Sequence, residues 1–460
     1  MNILIKNGLI VNAGESVRAD LYIEEDKIKA VASNITSNAD EAIDAEGMYV
    51  LPGAIDPHTH ISMEAGEITT KDDFKSGTAA AACGGITTIL DFPEPAEGET
   101  LLDCIERKHK LAQGEAAVDY SFHPSITRSS SELIEEVERA IRDYGTPTFK
   151  IYMAYDIRAD DLTILKVLQK TAKYGGLVMV HAENHSIIEF MTHKLANEGR
   201  TDLRYHPESR PSVAEEEAVS RAIKLAELTG AGLYIVHLST RDALAKIREA
   251  RARGVRVFAE TCPQYLLLTE EKYELKGFEP AKYIISPPLR TARDNSALWN
   301  GIKSGDIQVA ATDHCPFDFK GMKDRYGKKD FRKVPNGVPG VETLLMLLHS
   351  EGVVKGKISL GKMVEILSTN PARIFGLKEK GALLPGKDAD VVVFDPGREF
   401  TIDHRKLHMN VDYNPYKGFK ITGMPHLVYS RGRLVAKWEG KKMQFVGNPG
   451  WGRFVRRSIN

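Results

Sequence analysis

The chain is expected to fold as an α/β protein: a (β/α)8 barrel of the TIM type, with a smaller β-sandwich domain formed from both chain ends. Three observations in the 460-residue sequence lead there. Short β-rich apolar runs alternate with helical patterns through the middle of the chain. About eight such runs occur, the number that closes a barrel, and several start roughly 30 residues apart, as βαβ units do. Both ends, in contrast, carry only short strands punctuated by turns.

The N-terminal strands come first. Residues 3–10 are apolar with polar breaks, and Asn7-Gly8 reads as a turn. Residues 21–23 and 28–31 flank the charged turn 24–27, which is hairpin chemistry. Strands of the same texture return at 388–394 and 427–438, so residues 1–50 and 383–460 are assigned together, since chain ends often lie close. The barrel is assigned to 51–382. Its strands are expected at 49–55, 86–92, 118–123, 148–155, 177–182, 233–238, 255–260 and 308–312. Between them, Leu133, Ile134, Val137 and Ile141 keep helical spacing, and Ser129-x-x-Glu132 and Ser212-x-x-Glu215 read as capping boxes. Two long connections, 184–211 and 261–290, are expected over the C-terminal mouth of the barrel. The tail 446–460, with Trp451 and Phe454 among basic residues, reads either as an arm that docks on a neighbour or as a plain disordered tail.

Composition excludes several classes. Hydrophobic residues make up 42% and charged residues 27%, enough for a sizeable core and too apolar for a disordered chain. The net charge of −1 gives no bulk attraction to nucleic acid or an anionic membrane. Cys83, Cys104, Cys262 and Cys315 form no CxxC pair, which argues against a disulfide scaffold or a cysteine zinc module. No secretory leader or apolar span of ~20 residues is seen, and a cytoplasmic location is expected.

The chemistry concentrates at strand ends. In Asp56-Pro57-His58-Thr59-His60 the two histidines are two apart, so in an extended segment they share one face and can address one centre. Imidazole suits zinc, nickel or manganese. His181 ends the fifth expected strand, His237 the sixth and Asp313 the eighth, while Lys150 lies in the fourth. Polar residues ending apolar strands are poorly explained by packing, and in a barrel these ends converge at one mouth. His123 also ends a strand, but is assigned to support or core. His314 is expected to point away from the face that Asp313 uses. His109, His193, His349, His404 and His408 fall in helical or polar contexts and are expected at the surface. Lys150 is a puzzle beside a metal. Two positive unit charges ~4 Å apart cost about 4 kcal/mol at an effective dielectric near 20, and a dication costs more. Either Lys150 points away, or CO2 has converted it to a carbamate whose two oxygens can each hold a metal.

These residues also carry a resemblance. PGAIDPHTH (52–60), FKIYMAY (149–155), VMVHAEN (178–184), YIVHLS (234–239) and AATDHCPF (310–317) resemble the cyclic amidohydrolases of the dihydropyrimidinase and hydantoinase group. SPPLR (286–290), PNGVPGVET (335–343), TNPARIFGL (369–377) and LLPGKDADVVVFDP (383–396) agree, so the likeness spans essentially the whole chain. It implies two divalent metal ions, usually Zn2+. His58, His60 and Asp313 would bind one, His181 and His237 the other, and Lys150, as N6-carboxylysine, would bridge them. It further implies Asp313 as proton acceptor and donor, Tyr155 as hydrogen-bond donor to the oxyanion, and Ser286 and Asn336 as contacts to the imide edge. Tyr152 is assigned to packing. The implied reaction is ring-opening of 5,6-dihydropyrimidines or 5-substituted hydantoins to N-carbamoyl amino acids, by a homotetramer.

Three alternatives are weighed. Dihydroorotase-like enzymes commonly place an arginine two residues after H-x-H, where this chain has Ser62. Allantoinase is a nearer competitor, but FKIYMAY and DYNPYKGFKITGMP look more like dihydropyrimidinase. Non-catalytic dihydropyrimidinase-related scaffold proteins have lost metal ligands, whereas the full set is present here. Side-chain selectivity is expected in the loops 61–73 and 93–99, with Met63 and Ile68 as an apolar wall.

Overall fold

The computed structural model describes residues 1–459. Eight parallel strands form a closed barrel. Strand one (Ala54–Thr59) pairs with strand two (Ile86–Asp91), which pairs with strand three (Asp119–Phe122). The third strand resumes at Ser125–Ile126 and pairs there with strand four (Thr148–Tyr152). Strands five (Leu177–His181), six (Leu233–Ile235), seven (Val257–Thr261) and eight (Val309–Ala310) follow in parallel register. A parallel bridge between Thr59 and His314 closes the ring.

The first strand starts later than expected. Residues 49–55 divide between two sheets: Tyr49–Pro52 pairs with Asn2–Asn12 and Val391–Thr401, and only from Ala54 does the chain enter the barrel. Gly53 marks the crossing. A Cβ there would lie 2.1 Å from Thr87 Oγ1, so only glycine lets the backbone pass. The H-x-H motif thus lies within and just after the first barrel strand.

Both chain ends build one nine-stranded sheet, with Asn2–Asn12, Glu15–Glu24 and Lys27–Ala32 on one side and Val391–Thr401, Lys420–Ser430, Arg433–Glu439 and Lys442–Phe445 on the other. Ile3, Ile5, Leu21, Ile23, Val391 and Val393 share its separate apolar core. Asn7-Gly8 is not a turn. The strand runs through it with a bulge, Asn7 taking φ 63° while Asp20 accepts from its N–H at 3.1 Å.

Neither expected capping box forms. The helix Ser212–Thr229 starts behind Pro211 with no side-chain cap, because Glu215 turns inward to accept from Ser239 N (2.8 Å) and Oγ (2.5 Å). The helix Ser131–Glu135 likewise has no side-chain cap. His349 is buried rather than superficial, its Nδ1 at 2.7 Å from Thr422 O, and half-buried His408 pairs with Glu342 at 2.8 Å.

The tail lies on its own barrel rather than reaching away. Phe454 packs on Tyr120 and Phe122, and Val455 and Ile459 join the core at the bottom of the barrel. Arg457 is buried, donating to Ser121 Oγ (2.8 Å), Thr148 Oγ1 (2.8 Å), Phe375 O (3.2 Å) and Phe122 O. Asn460, the last residue of the expected arm, lies outside the described residues. Burial lowers the Arg457 pKa to about 9. Arg457→Met removes the donor to four acceptors and is expected to destabilise the fold by roughly 3 kcal/mol. The check is a lower midpoint of thermal unfolding at unchanged KM; an unshifted midpoint would count against the tail as a structural plug. No helix among the described residues is long and apolar enough to cross a membrane.

Candidate functional site

The residues assigned to metal binding, proton transfer and the imide edge line one cavity of about 440 Å³ at the C-terminal mouth of the barrel: His58, His60, Lys150, Tyr155, His181, His237, Ser286, Asp313 and Asn336. This is the size range of a small-molecule site. The long connection after the seventh strand delivers Ile285 and Ser286 to its wall, and the loop after the eighth delivers Asn336 and Gly337.

Two clusters of donors stand side by side. In the first, Asp313 Oδ1 is 3.1 Å from His58 Nε2 and 3.2 Å from His60 Nε2. In the second, His181 Nδ1 and His237 Nε2 face each other at 2.8 Å. The rings of His58 and His237 are 5.5 Å apart, so the clusters are neighbours. Phe92 packs against His58 and His60 at 4.6 and 5.2 Å between ring centres, and Lys150 Nζ lies 4.7 Å from the same ring.

The backbone is bent to make this possible. Tyr155, His237 and Asp313 have φ of 70°, 38° and 52°, the left-handed region that non-glycine residues rarely occupy. The turns at His237 and Asp313 are braced. Glu260 accepts from His237 N at 3.2 Å. Asp56 accepts from Thr312 N (3.1 Å) and Oγ1 (2.5 Å), just before Asp313. His314, just after it, lies with Nε2 3.1 Å from Asp72. Burial raises the Asp56 carboxyl to about 6 although these donors favour its charge.

Carboxylates behind the imidazoles orient them. Glu260 contacts His58 Nδ1 and accepts from Tyr234 Oη at 2.7 Å. Glu183 holds His181 Nε2 at 2.8 Å and accepts from Arg210 at 2.5 Å; Arg210 also lies over the Tyr155 ring at 5.0 Å. Such partners fix which ring nitrogen faces the centre. Sequence reasoning missed Glu183, Arg210 and Phe92. Glu260 was within reach of it, because it too is a polar residue closing an apolar strand.

Burial shapes the charges. It would lower the His58 pKa, but the carboxylates of Glu260 and Asp313 lift it to about 9. Burial also tends to raise Asp313, yet His58 and His60 hold it well below the usual carboxylate range. Burial, then the neighbouring His181 and Lys150, keep His237 well below its ordinary value, hence neutral. Lys150 is lowered to about 8 by burial, which outweighs the pull of Asp313, Glu260 and Glu94. Burial raises Tyr155 to about 12, so it remains a hydrogen-bond donor.

These residues fit divalent metal ions. His58, His60 and Asp313 present three donor atoms within 4.8 Å of one another, and His181 Nδ1 and His237 Nε2 present two more at 2.8 Å from each other. Imidazole and carboxylate are the donors zinc takes in catalytic sites. His123 is not among them. Its Nδ1 sits 2.5 Å from Thr148 Oγ1 and its ring packs against Phe92 and edge-on to Phe375, deeper in the barrel. Tyr152 lines the cavity but donates to Glu94 at 2.7 Å. Met63 is on the cavity wall, whereas Ile68 packs one layer behind, against Phe317 and Cys315.

Comparison with known proteins gives a consistent result. The model of the amidohydrolase family matches residues 49–435. The chain is 47% identical to the D-hydantoinase of Geobacillus stearothermophilus, with 100% of this chain and 97% of that protein covered. It is 43% identical to the D-hydantoinase of Ralstonia pickettii, with 99% of each covered. Among solved structures, the dihydropyrimidinase from Brevibacillus agri NCHU1002 is similar at a TM-score of 0.97 and 44% identity, with 100% of this chain and 99% of that one covered.

Proposed function

The chain belongs to the amidohydrolase family, and within it to the hydantoinase and dihydropyrimidinase group; from that membership and the site we propose that it hydrolyses the cyclic amide bond of D-5-substituted hydantoins and 5,6-dihydropyrimidines, releasing N-carbamoyl amino acids. The observation that carries this reading is the convergence of His58, His60, Lys150, His181, His237 and Asp313 in one cavity. The D preference is supported by the relatives named D-hydantoinase.

The family implies a divalent metal centre. We assign one ion, as Zn2+, to His58, His60 and Asp313, the second to His181 and His237, and the bridge to Lys150 as N6-carboxylysine. When bound, such ions lower the pKa of water toward ~7 and polarise the substrate carbonyl. The chain's own residues supply the rest. Asp313, ionised at neutral pH, accepts the proton of the attacking water and returns it to the ring nitrogen as the amide C–N bond breaks. Tyr155 Oη donates to the carbonyl oxygen as negative charge builds there. Ser286 and Asn336 hold the imide edge; both carry buried oxygen atoms without a partner, of which Asn336 Oδ1 can accept from a ring N–H and Ser286 Oγ can donate to a ring carbonyl. Glu183 and Glu260 keep His181 and His58 oriented.

The enzyme acts on a small molecule, with neither nucleic acid nor membrane as partner, and works in the cytoplasm as a homotetramer. Exposed Leu162, Phe190 and Val213, on the helices Asp161–Tyr174, His185–Asn197 and Ser212–Thr229, support burial against another subunit.

An activity panel on metal-loaded protein tests the reading: dihydrouracil, hydantoin, D- and L-5-substituted hydantoins, allantoin and dihydroorotate. Turnover of D-5-phenylhydantoin and dihydrouracil to the N-carbamoyl acids is expected; turnover of allantoin alone would overturn it. Selectivity adds a sharper check. Met63→Ala removes apolar wall and is expected to lower kcat/KM for 5-phenylhydantoin about tenfold more than for hydantoin. Equal losses on both rings would exclude Met63 from side-chain recognition.

A further inference from the structure

Lys323 lies outside the set described above, yet its placement is unusual. Its side chain is fully buried, and among the described residues no carboxylate approaches within ion-pair distance. An unpaired cation in an apolar interior is costly, and a hydrophobic side chain of similar volume would fill the space more cheaply. Burial lowers its pKa to about 7. Among the described residues its polar partners are two main-chain carbonyls: Nζ donates to Pro335 O at 2.9 Å and to Ile284 O at 3.3 Å.

Those carbonyls belong to different segments. Ile284 precedes Ile285 and Ser286 in the connection after the seventh strand, and Pro335 precedes Asn336 and Gly337 in the loop after the eighth; all four following residues line the cavity. Gly337 N donates to Ile284 O at 3.0 Å, so the two segments touch where Lys323 reaches them. There is little slack on the far side. A Cβ at Gly337 would lie 2.5 Å from Cys315 O, so this backbone is pressed against the residues that follow Asp313.

We propose that Lys323 is a positioning residue for the substrate ring: by joining the carbonyls of Ile284 and Pro335 it sets the separation between the Ser286 and Asn336 segments that grip the ring edge. This rests on the reading of Ser286 and Asn336 as substrate contacts. Lys323 touches neither substrate nor the metal ligands, so its removal acts on how the ring is held.

The test is Lys323→Met, which keeps length and bulk but leaves Pro335 O without its donor. With full metal content and a wild-type melting midpoint, KM for dihydrouracil and for hydantoin is expected to rise about tenfold while kcat stays within about threefold. Lys323→Gln, which retains one amide donor, is expected to give an intermediate KM and carries the same test should the methionine variant not fold. Wild-type KM in either folded variant would overturn the proposal, as would a fall in kcat or in bound metal at unchanged KM. A wild-type protein inert on both rings would instead overturn the assigned reaction.

Discussion

Lys150→Ala is expected to reduce bound divalent metal from two ions per chain to one or none and to lower kcat/KM by more than about 10³-fold, roughly 4 kcal/mol of transition-state stabilisation. Lys150 is 1% exposed, lies over Phe92 and Tyr152, and its charge reaches His58, His181 and His237, members of both donor clusters. A free ammonium there repels cations. Once deprotonated, the amine adds to CO2 to give a carbamate and a proton, replacing one positive charge with one negative charge and two oxygen donors. Burial, which brings its pKa to about 8, makes the neutral amine accessible near physiological pH. Alanine would remove the proposed bridge and leave a gap that a short carboxylate can enter, so acetate or propionate is expected to restore part of the metal content and rate. Metal analysis with kinetics, with and without added carboxylate, decides it. Two bound ions and full activity in Lys150→Ala would refute the bridge.

Asp313→Asn is expected to separate binding from catalysis. The change keeps shape, and an amide oxygen still reaches toward His58 and His60, so metal content falls only modestly. What disappears is the proton acceptor. Simple acid–base losses run to ~10²–10⁴-fold, and kcat is expected to fall beyond that range because the same side chain also holds the metal site. KM is expected to move little. Wild-type kinetics in a metal-replete Asp313→Asn protein would end the assignment. The left-handed turn at Asp313 sharpens the test, since asparagine tolerates φ near 52° and backbone strain is not a competing explanation.

Much of the site was legible before any coordinates. His58 and His60 share a face by strand periodicity, and His181, His237 and Asp313 are polar residues following apolar runs. The shortfall lies one layer out. Glu183 follows His181 by only two positions, but Arg210, which anchors it, arrives from a separate helical connection. Glu260 meets His58 across 202 residues of chain. Phe92 looks like any strand aromatic until it is found against His58, His60 and Lys150 together. Ser212-x-x-Glu215 failed for a related reason: Glu215 had a buried serine to bind, and that outweighed a local cap.

From its residues alone this chain declares a barrel of alternating strands and helices, an outer sheet drawn from both ends, and the donor types that gather at the mouth. Those follow from side-chain periodicity and residue chemistry, which act over a few neighbouring positions. Only tertiary structure decided that strand one begins after Gly53, that Asn7-Gly8 is a bulge, that the tail seals its own barrel, and that Lys323 ties two distant segments together. Each of these outcomes depends on burial and on partners supplied from remote parts of the chain, and their energies are set only once those partners meet.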